Sequence, residues 1–250
     1  MKQFFSMISI VVLVLFFFIS CDNETKNTND EEVSDQETGD EEANDDEASA
    51  IEMKYKKADE HAQAVSKEIV SANSALAMDL FSKLSFEESG VNMMISPLSI
   101  SIAMAMVTNG ASDENLAEMK EVLGFKDMTM EAVNAQFYEL IQSLVEADKD
   151  LVLSIANSVW MDDLFEPRVK EAFLDALLES YEAEPFTIDF QADGAKDTIN
   201  SWVSENTNGK IEKIIEEIGA DTVMYLINAI YFKAAWTITF DKESTYDGQF

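Results

Sequence analysis

Cysteine and histidine are almost absent from this 250-residue sequence, which contains only Cys21 and His61. A single cysteine cannot form an internal disulfide, and a cysteine-based zinc site needs at least two thiolates. A single histidine excludes a cluster of imidazole metal ligands. Proline and glycine are also scarce, with three and eight residues, while 47% of the chain is hydrophobic. This composition predicts a globular domain with a packed core, no metal and no cofactor.

Basic residues are few, with 17 Lys and Arg against 49 Asp and Glu, for a formal net charge of -32. Such a negative field repels nucleic-acid phosphates and anionic lipid surfaces, so the sequence predicts no nucleic-acid partner. The charge is concentrated near the N-terminus, because residues 22–50 hold 13 acidic side chains and one lysine.

The first 20 residues have the pattern of a signal peptide, with Lys2 followed by an apolar run over Phe4–Ile19. The run is 16 residues long, shorter than the roughly 20 residues that span a bilayer as a helix. An uncleaved anchor and simple secretion remain as alternatives. Phe18-Ile19-Ser20-Cys21 resembles the lipobox of bacterial lipoproteins, with Phe18 where that family usually has Leu. The resemblance implies a lipid on Cys21 and an extracytoplasmic, lipid-anchored or secreted protein.

Residues 21–55 are predicted to be an acidic, disordered tether. Between residues 22 and 50 there is no aromatic side chain, and Val33 is the one branched aliphatic residue. Such a segment cannot bury enough apolar surface to offset the entropy of ordering its backbone. The tether would connect the lipid to the domain at 56–250, with membrane contact only through that lipid.

The remaining pattern predicts helices first and then strands interleaved with helices, a mixed α and β class without an internal repeat. From about residue 56 to 84 one apolar stripe predicts a single long helix. Further helices are expected at 97–107, 113–123, 131–146, 167–181 and 195–206, and strands at 151–161, 186–190 and 223–234.

Two polar residues are candidates for a chemical or structural role. His61 is the only candidate base for a nucleophilic triad, but it lies among charged residues ahead of the packed helices, where we expect an exposed bystander. With no phosphate-binding loop and no paired-histidine motif, the sequence predicts no enzyme. Asn228 interrupts the apolar strand at 223–234, and its amide requires hydrogen-bond partners if it is buried.

The order of several motifs resembles the N-terminal portion of the serpin domain, the serine protease inhibitor family. The resemblance covers about Ser71 to Phe250 and depends on these segments: Asn92-Met93-Met94-Ile95-Ser96-Pro97-Leu98-Ser99-Ile100, Ala103-Met104, Gly110-Ala111, Glu121-Val122-Leu123-Gly124, Ala156-Asn157, Ile199-Asn200-Ser201-Trp202-Val203, Thr207-Asn208-Gly209-Lys210-Ile211, Asn228-Ala229-Ile230-Tyr231-Phe232-Lys233 and Trp236.

The resemblance implies an α+β multi-layer serpin fold, with several helices packed on a large mixed sheet A. In that family a protease cleaves a reactive loop and becomes trapped when the loop inserts into sheet A as an extra strand. The implied protein is a monomeric suicide inhibitor of a serine protease, with cysteine proteases as an alternative target. A non-inhibitory serpin-fold binding protein and a truncated surface lipoprotein are the alternative functions.

By the same resemblance, four polar residues match the shutter cluster that controls the opening of sheet A: Ser96, Ser99, Asn200 and Asn228. Trp236 matches the breach, where the loop first enters the sheet, and Thr245 and Phe250 resemble the start of the next segment. No catalytic residue is implied. The resemblance ends before the family's C-terminal part, so we expect an incomplete sequence without the reactive bond or the reactive loop.

Overall fold

The computed structural model describes residues 9–14, 42–87, 92–145, 147, 151–234, 236, 244 and 246, with side chains from residue 53 onward. Cys21, Thr245 and Phe250 lie outside these residues. The helices of the described part are α1 Glu42–Ala64, α2 Lys67–Glu87, α3 Pro97–Asn109, α4 Asp113–Val122, α5 Met130–Val145, α6 Glu171–Tyr181 and α7 Ala195–Asn206. The strands are β1 Ser9–Val14, β2 Leu151–Asp162, β3 Ala183–Ile188 and β4 Thr222–Ala234.

The single long helix predicted from residue 56 is wrong, because the chain breaks between α1 and α2 at Val65 and Ser66. The Oγ of Ser66 accepts a hydrogen bond from the backbone N–H of Ile69 at 3.3 Å, which caps the new helix. Helix α1 also begins at Glu42, inside the predicted tether, so residues 42–55 are helical in this structure. Contact with α5 supplies the tertiary packing that local composition does not reveal.

The prediction that an α-helix begins at Pro167 is also wrong. Pro167 lies in a short 3₁₀ helix, Glu166–Arg168, and α6 begins only at Glu171. The prolyl ring fits the first position of either helix type, so the sequence alone could not separate these two starts.

The strands form one mixed sheet in the order β1-β4-β2-β3. Strand β4 is antiparallel to β2 and parallel to β1, and β2 is parallel to β3. Residues of the predicted signal peptide form β1, which pairs with Thr222–Asn228. The predicted strands at 151–161 and 223–234 are confirmed, and the one near 186–190 begins earlier and ends at Ile188.

The sheet lies between two hydrophobic layers. On one face, α2, α3, α5 and α6 pack against a core that includes Ile102, Phe137, Leu177 and Leu226. On the other face, α7 and the segment after it cover a second core that includes Trp160. Alternate residues of β2 and β4 therefore face opposite layers, and residues 157–161 of β2 and 224–231 of β4 are buried on both sides. No helix in the described ranges is long and apolar enough to cross a membrane.

Candidate functional site

The candidate site is centred on two asparagines that face each other across β2 and β4. Asn157 and Asn228 are register partners in the antiparallel pair. Asn228 donates its side-chain amide to the Oδ1 of Asn157 at 2.8 Å. The residues are 2% and 0% exposed, respectively. In this apolar surrounding the amide pair joins the two central strands by a side-chain bond in addition to the backbone ladder.

The polar cluster continues from Asn157 toward the helices. The Nδ2 of Asn157 donates to the backbone carbonyl of Tyr181 at 2.7 Å, at the end of α6. The phenol of Tyr181 donates to the Oδ1 of Asn134 on α5 at 2.8 Å. Asn134 and Asn109 of α3 exchange two amide hydrogen bonds, of 2.8 and 3.0 Å. Burial raises the pKa of Tyr181, so its hydroxyl remains a donor through the neutral range.

One acceptor in this cluster has no partner among the described residues. The Oδ1 of Asn228 is buried without a hydrogen bond, and so is the Oγ of Ser101 on α3. An unsatisfied buried polar atom costs about 1–3 kcal/mol. The side chain of Asn228 therefore donates through its Nδ2, while its Oδ1 can still accept a hydrogen bond.

Ser96 and Ser99 lie at the start of α3, where Ser96 is the N-cap residue and Pro97 follows it. Their hydroxyl oxygens are 2.9 Å apart and form a buried hydrogen bond. Helix α3 packs on β4, so the serines stand on the same face of the sheet as Asn228.

Asn200 occupies a different place from the other predicted shutter residues. It lies on α7, within the layer on the opposite face of the sheet, and is 7% exposed. Its Oδ1 accepts the backbone N–H groups of Ile214 and Ile215, both at 2.9 Å, and its Nδ2 donates to the carbonyl of Ile215. Asn200 thus fastens the segment after α7 onto that helix.

Trp236 follows the end of β4 at Ala234, and its residue surface is 56% exposed.

Sequence reasoning did not single out Asn157, Tyr181, Asn134 or Asn109 as site residues. One signal was present: Asn157 interrupts the apolar alternation of β2 between Ile155 and Val159, as Asn228 interrupts β4. Two amides at buried strand positions share a hydrogen bond when the strands pair in this register. The contribution of Tyr181 could not be anticipated, because its backbone carbonyl is the acceptor.

His61 is not the exposed bystander expected from its charged neighbours. Its Nδ1 lies 2.6 Å from the Oε2 of Glu139 on α5, and both side chains are about three-quarters buried, with 26% and 27% exposed. The ring meets Tyr138 edge-on at 5.9 Å between centroids. The expectation failed because it placed residue 61 ahead of the packed helices, whereas α1 is itself docked on α5.

One group of carboxylates among the described residues could approach a cation. Ligand oxygens of Asp162, Asp163 and Asp189 lie within 4.8 Å of one another. Asp162 already accepts backbone N–H groups from Leu164 and Phe190. These bonds shape the turns after β2 and β3 and account for the position of Asp162 without a metal.

Known proteins match this chain clearly. The family described as "Serpin (serine protease inhibitor)" matches residues 71–250. Serpin A12 of Homo sapiens is 37% identical over 186 residues, which are 74% of this chain and 44% of that protein. Serpin A3-2 of Bos taurus is 30% identical over 195 residues, 77% of this chain and 47% of that protein.

Solved serpin structures have the same fold. Tengpin, a thermophilic serpin in the latent state, superposes with a TM-score of 0.65 at 34% identity, over 72% of this chain and 48% of that one. Reactive-loop-cleaved human thyroxine-binding globulin gives 0.64 at 35% identity, over 71% and 53%. The chain spans about half the length of the relatives it matches. Its layered helices and mixed sheet are part of the serpin fold, and the chain belongs to the serpin family.

Proposed function

We propose that the protein to which this chain contributes inhibits serine-type endopeptidases by inserting a cleaved reactive loop into the sheet of β2 and β4. The observation that carries the proposal is the family match over residues 71–250, together with the buried Asn157–Asn228 pair at the centre of that sheet. The family is described as one of serine protease inhibitors. A cysteine protease is an alternative target.

The geometry around Asn228 fits a sheet that can accept a new strand beside β4. In this structure β1, part of the predicted signal peptide, pairs with β4 over Thr222–Asn228. With that segment removed, a strand inserted at the same edge of β4 would form main-chain hydrogen bonds along it, the strand-addition mode for which loop insertion in serpins is itself an established example. The unpaired Oδ1 of Asn228 can accept a bond from such a neighbour. The bond to Asn157 meanwhile holds β4 to β2. In this proposal Ser96, Ser99 and Asn228 govern the opening on one face, Asn200 supports the other, and Trp236 lies where the loop enters.

The experiment that tests the proposal is formation of a covalent complex. The protein with its complete serpin domain is incubated with trypsin-, chymotrypsin- and elastase-like proteases and analysed by denaturing electrophoresis. An SDS-resistant band at the summed mass of protein and protease supports suicide inhibition. Cleavage of the loop by these proteases without such a band contradicts it.

A non-inhibitory binding protein is the second candidate. Thyroxine-binding globulin, a binding protein by name, shares the fold at 35% identity. A binding protein would be cleaved in its loop without trapping the protease. It would also gain no thermal stability after cleavage, because no strand is inserted.

We further propose that the protein is exported and held at a membrane by a lipid on Cys21, with residues 1–20 removed and the segment before α1 acting as tether. The support is the signal-peptide pattern and the resemblance of Phe18-Ile19-Ser20-Cys21 to a lipobox. A lipid of this kind would be the protein's only membrane contact, and the inhibitor would act as a monomer. A truncated surface lipoprotein without inhibitory activity is the alternative at the same location.

A further inference from the structure

Helix α1 lies before the part of the chain that matches the serpin family. Its last turns are nonetheless docked on α5 by specific contacts. His61 meets Glu139 at 2.6 Å and packs edge-on against Tyr138. Ala58, three residues before His61, is only 4% exposed. A helix that only trailed from the domain would not bury an alanine or pair its histidine with a side chain of the domain.

Gln136 of α5 binds the break between α1 and α2 from both sides. Its Nε2 donates to the carbonyl of Ala64 at 3.2 Å. Its Oε1 accepts the backbone N–H of Ser66. One side chain therefore satisfies a carbonyl at the end of α1 and an amide before α2, groups that a helix break leaves without partners. This bridge fixes the angle at which α1 leaves the domain.

The same stretch of α5 carries the buried polar cluster on its other side. Asn134, two residues before Gln136, binds Asn109 and the hydroxyl of Tyr181. From Tyr181 the hydrogen bonds lead through Asn157 to Asn228. A single segment of α5 thus contacts α1 through Gln136 and the buried polar cluster through Asn134.

We propose that α1 is an intramolecular ligand of α5 that stabilises the pairing of β2 and β4 at Asn157 and Asn228 through this cluster. With α1 docked, its contacts hold Asn134 within reach of Tyr181 and Asn109. When α1 leaves, α5 loses its outer packing and can shift, and the cluster loosens toward Asn228. Docking of α1 and the pairing of β2 with β4 then favour each other, because each stabilises the same position of α5. The coupling requires no protease and is independent of the proposed inhibitory function.

Hydrogen exchange in the full-length protein tests the coupling. Gln136→Ala and Glu139→Ala each remove contacts to α1 and leave Asn134 in place. We expect amide exchange to increase in α1 and also in β2 and β4 around Asn157 and Asn228, by about fivefold for each lost hydrogen bond. Asp79→Asn is the matched control, because it breaks the exposed 2.7 Å pair with Lys83 on α2, away from the cluster. This control should change neither region.

A second variant keeps the coupling testable if the α5 variants fold poorly. Asn134→Ala removes a side chain of the cluster whose hydrogen bonds go to Asn109 and Tyr181 and not to α1. It should raise exchange in β2 and β4 and, by reciprocity, in the last turns of α1. Faster exchange in α1 with unchanged β2 and β4 would reduce α1 to a local attachment and overturn the proposal. Unchanged exchange in α1 after loss of Gln136 and Glu139 contacts would overturn it as well.

The outcome is separable from that of the inhibitory function. Coupled exchange in a protein that forms no covalent complex would sustain the α1–sheet coupling and reject the inhibitor. A covalent complex, together with exchange in β2 and β4 that does not change when the contacts to α1 are lost, would support the inhibitor and reject the coupling.

Discussion

Asn228 donates its side-chain amide to Asn157 at 2.8 Å, directly across the two central strands of the sheet. The two residues are 2% and 0% exposed, so bulk solvent does not reach either amide. Loss of this bond should therefore lower the free energy of unfolding, which can be measured without an inhibition assay.

Asn157→Ala should destabilise the full-length protein markedly. The change leaves the Nδ2 of Asn228 and the carbonyl of Tyr181 without this partner, at a cost of about 1–3 kcal/mol for each buried group. The free energy of unfolding in urea is the measurement. Asn206→Ala is the control, since Asn206 only donates to the carbonyl of Trp202, one turn back on α7. Equal losses for the two variants would contradict a special role of the sheet pair.

Tyr181→Phe tests the link between α6 and α5. Removing the hydroxyl deletes its bond to Asn134, and Asn134 keeps Asn109 as a donor, so a loss of only about 1 kcal/mol is expected near pH 7.

The same variant has a pH signature. Burial raises the pKa of Tyr181 above its ordinary value of 10.0, so the unfolded chain releases this proton at a lower pH than the folded protein. The associated stability is complete below pH 10 and declines as the pH rises further. Tyr181→Phe should lose part of that alkaline decline in urea unfolding at pH 8 and pH 11. The remaining decline includes Tyr225, whose pKa burial also raises. Identical declines with and without the Tyr181 hydroxyl would refute the assignment.

Gly124→Ala should destabilise more than Gly194→Ala. Both glycines have a positive φ, +77° and +88°, which disfavours any side chain by about 1–2 kcal/mol. A Cβ at Gly124 would also lie 2.9 Å from the Cβ of Ala72 on α2, whereas a Cβ at Gly194 would meet no atom within 4 Å. Thermal unfolding of both variants is the measurement. An equal shift in Tm would show that α2 yields freely at this contact.

The proposed lipid on Cys21 can be tested by mass spectrometry of the protein expressed in a bacterial host with lipoprotein processing. We expect a mature N-terminus at Cys21 carrying diacylglycerol and release into the soluble fraction for Cys21→Ser. An intact Met1 with an unmodified Cys21 would reject the lipoprotein prediction.

Much of the fold could be predicted because apolar periodicity marks elements that pack in the usual way. Helix α7 was predicted with both of its ends, helped by Asn208 and Gly209 in left-handed conformations after it. The α1–α2 break was missed because both helices continue one apolar stripe, and the interruption depends on Gln136, 70 residues away from Ser66. Composition likewise favoured a tether where α1 forms on α5.

The candidate site could also be predicted only in part from the sequence. Asn228 could be recognised locally, as a polar residue within an apolar strand. Its partner required knowledge of the strand register, and the extension through Tyr181 to Asn134 required the packing of α6 against α5. Asn200 matched the shutter motif in sequence, yet it fastens the segment after α7 on the opposite face of the sheet.

The central claim is that β4 accepts an inserted strand. The melting temperature of the complete serpin domain before and after cleavage of its reactive loop tests this most directly. Insertion adds a full set of main-chain hydrogen bonds beside β4, so the account predicts a large rise in Tm after cleavage. The rise should coincide with slower amide exchange at residues 222–234. An unchanged Tm, with equal exchange in β4 before and after cleavage, would contradict strand insertion.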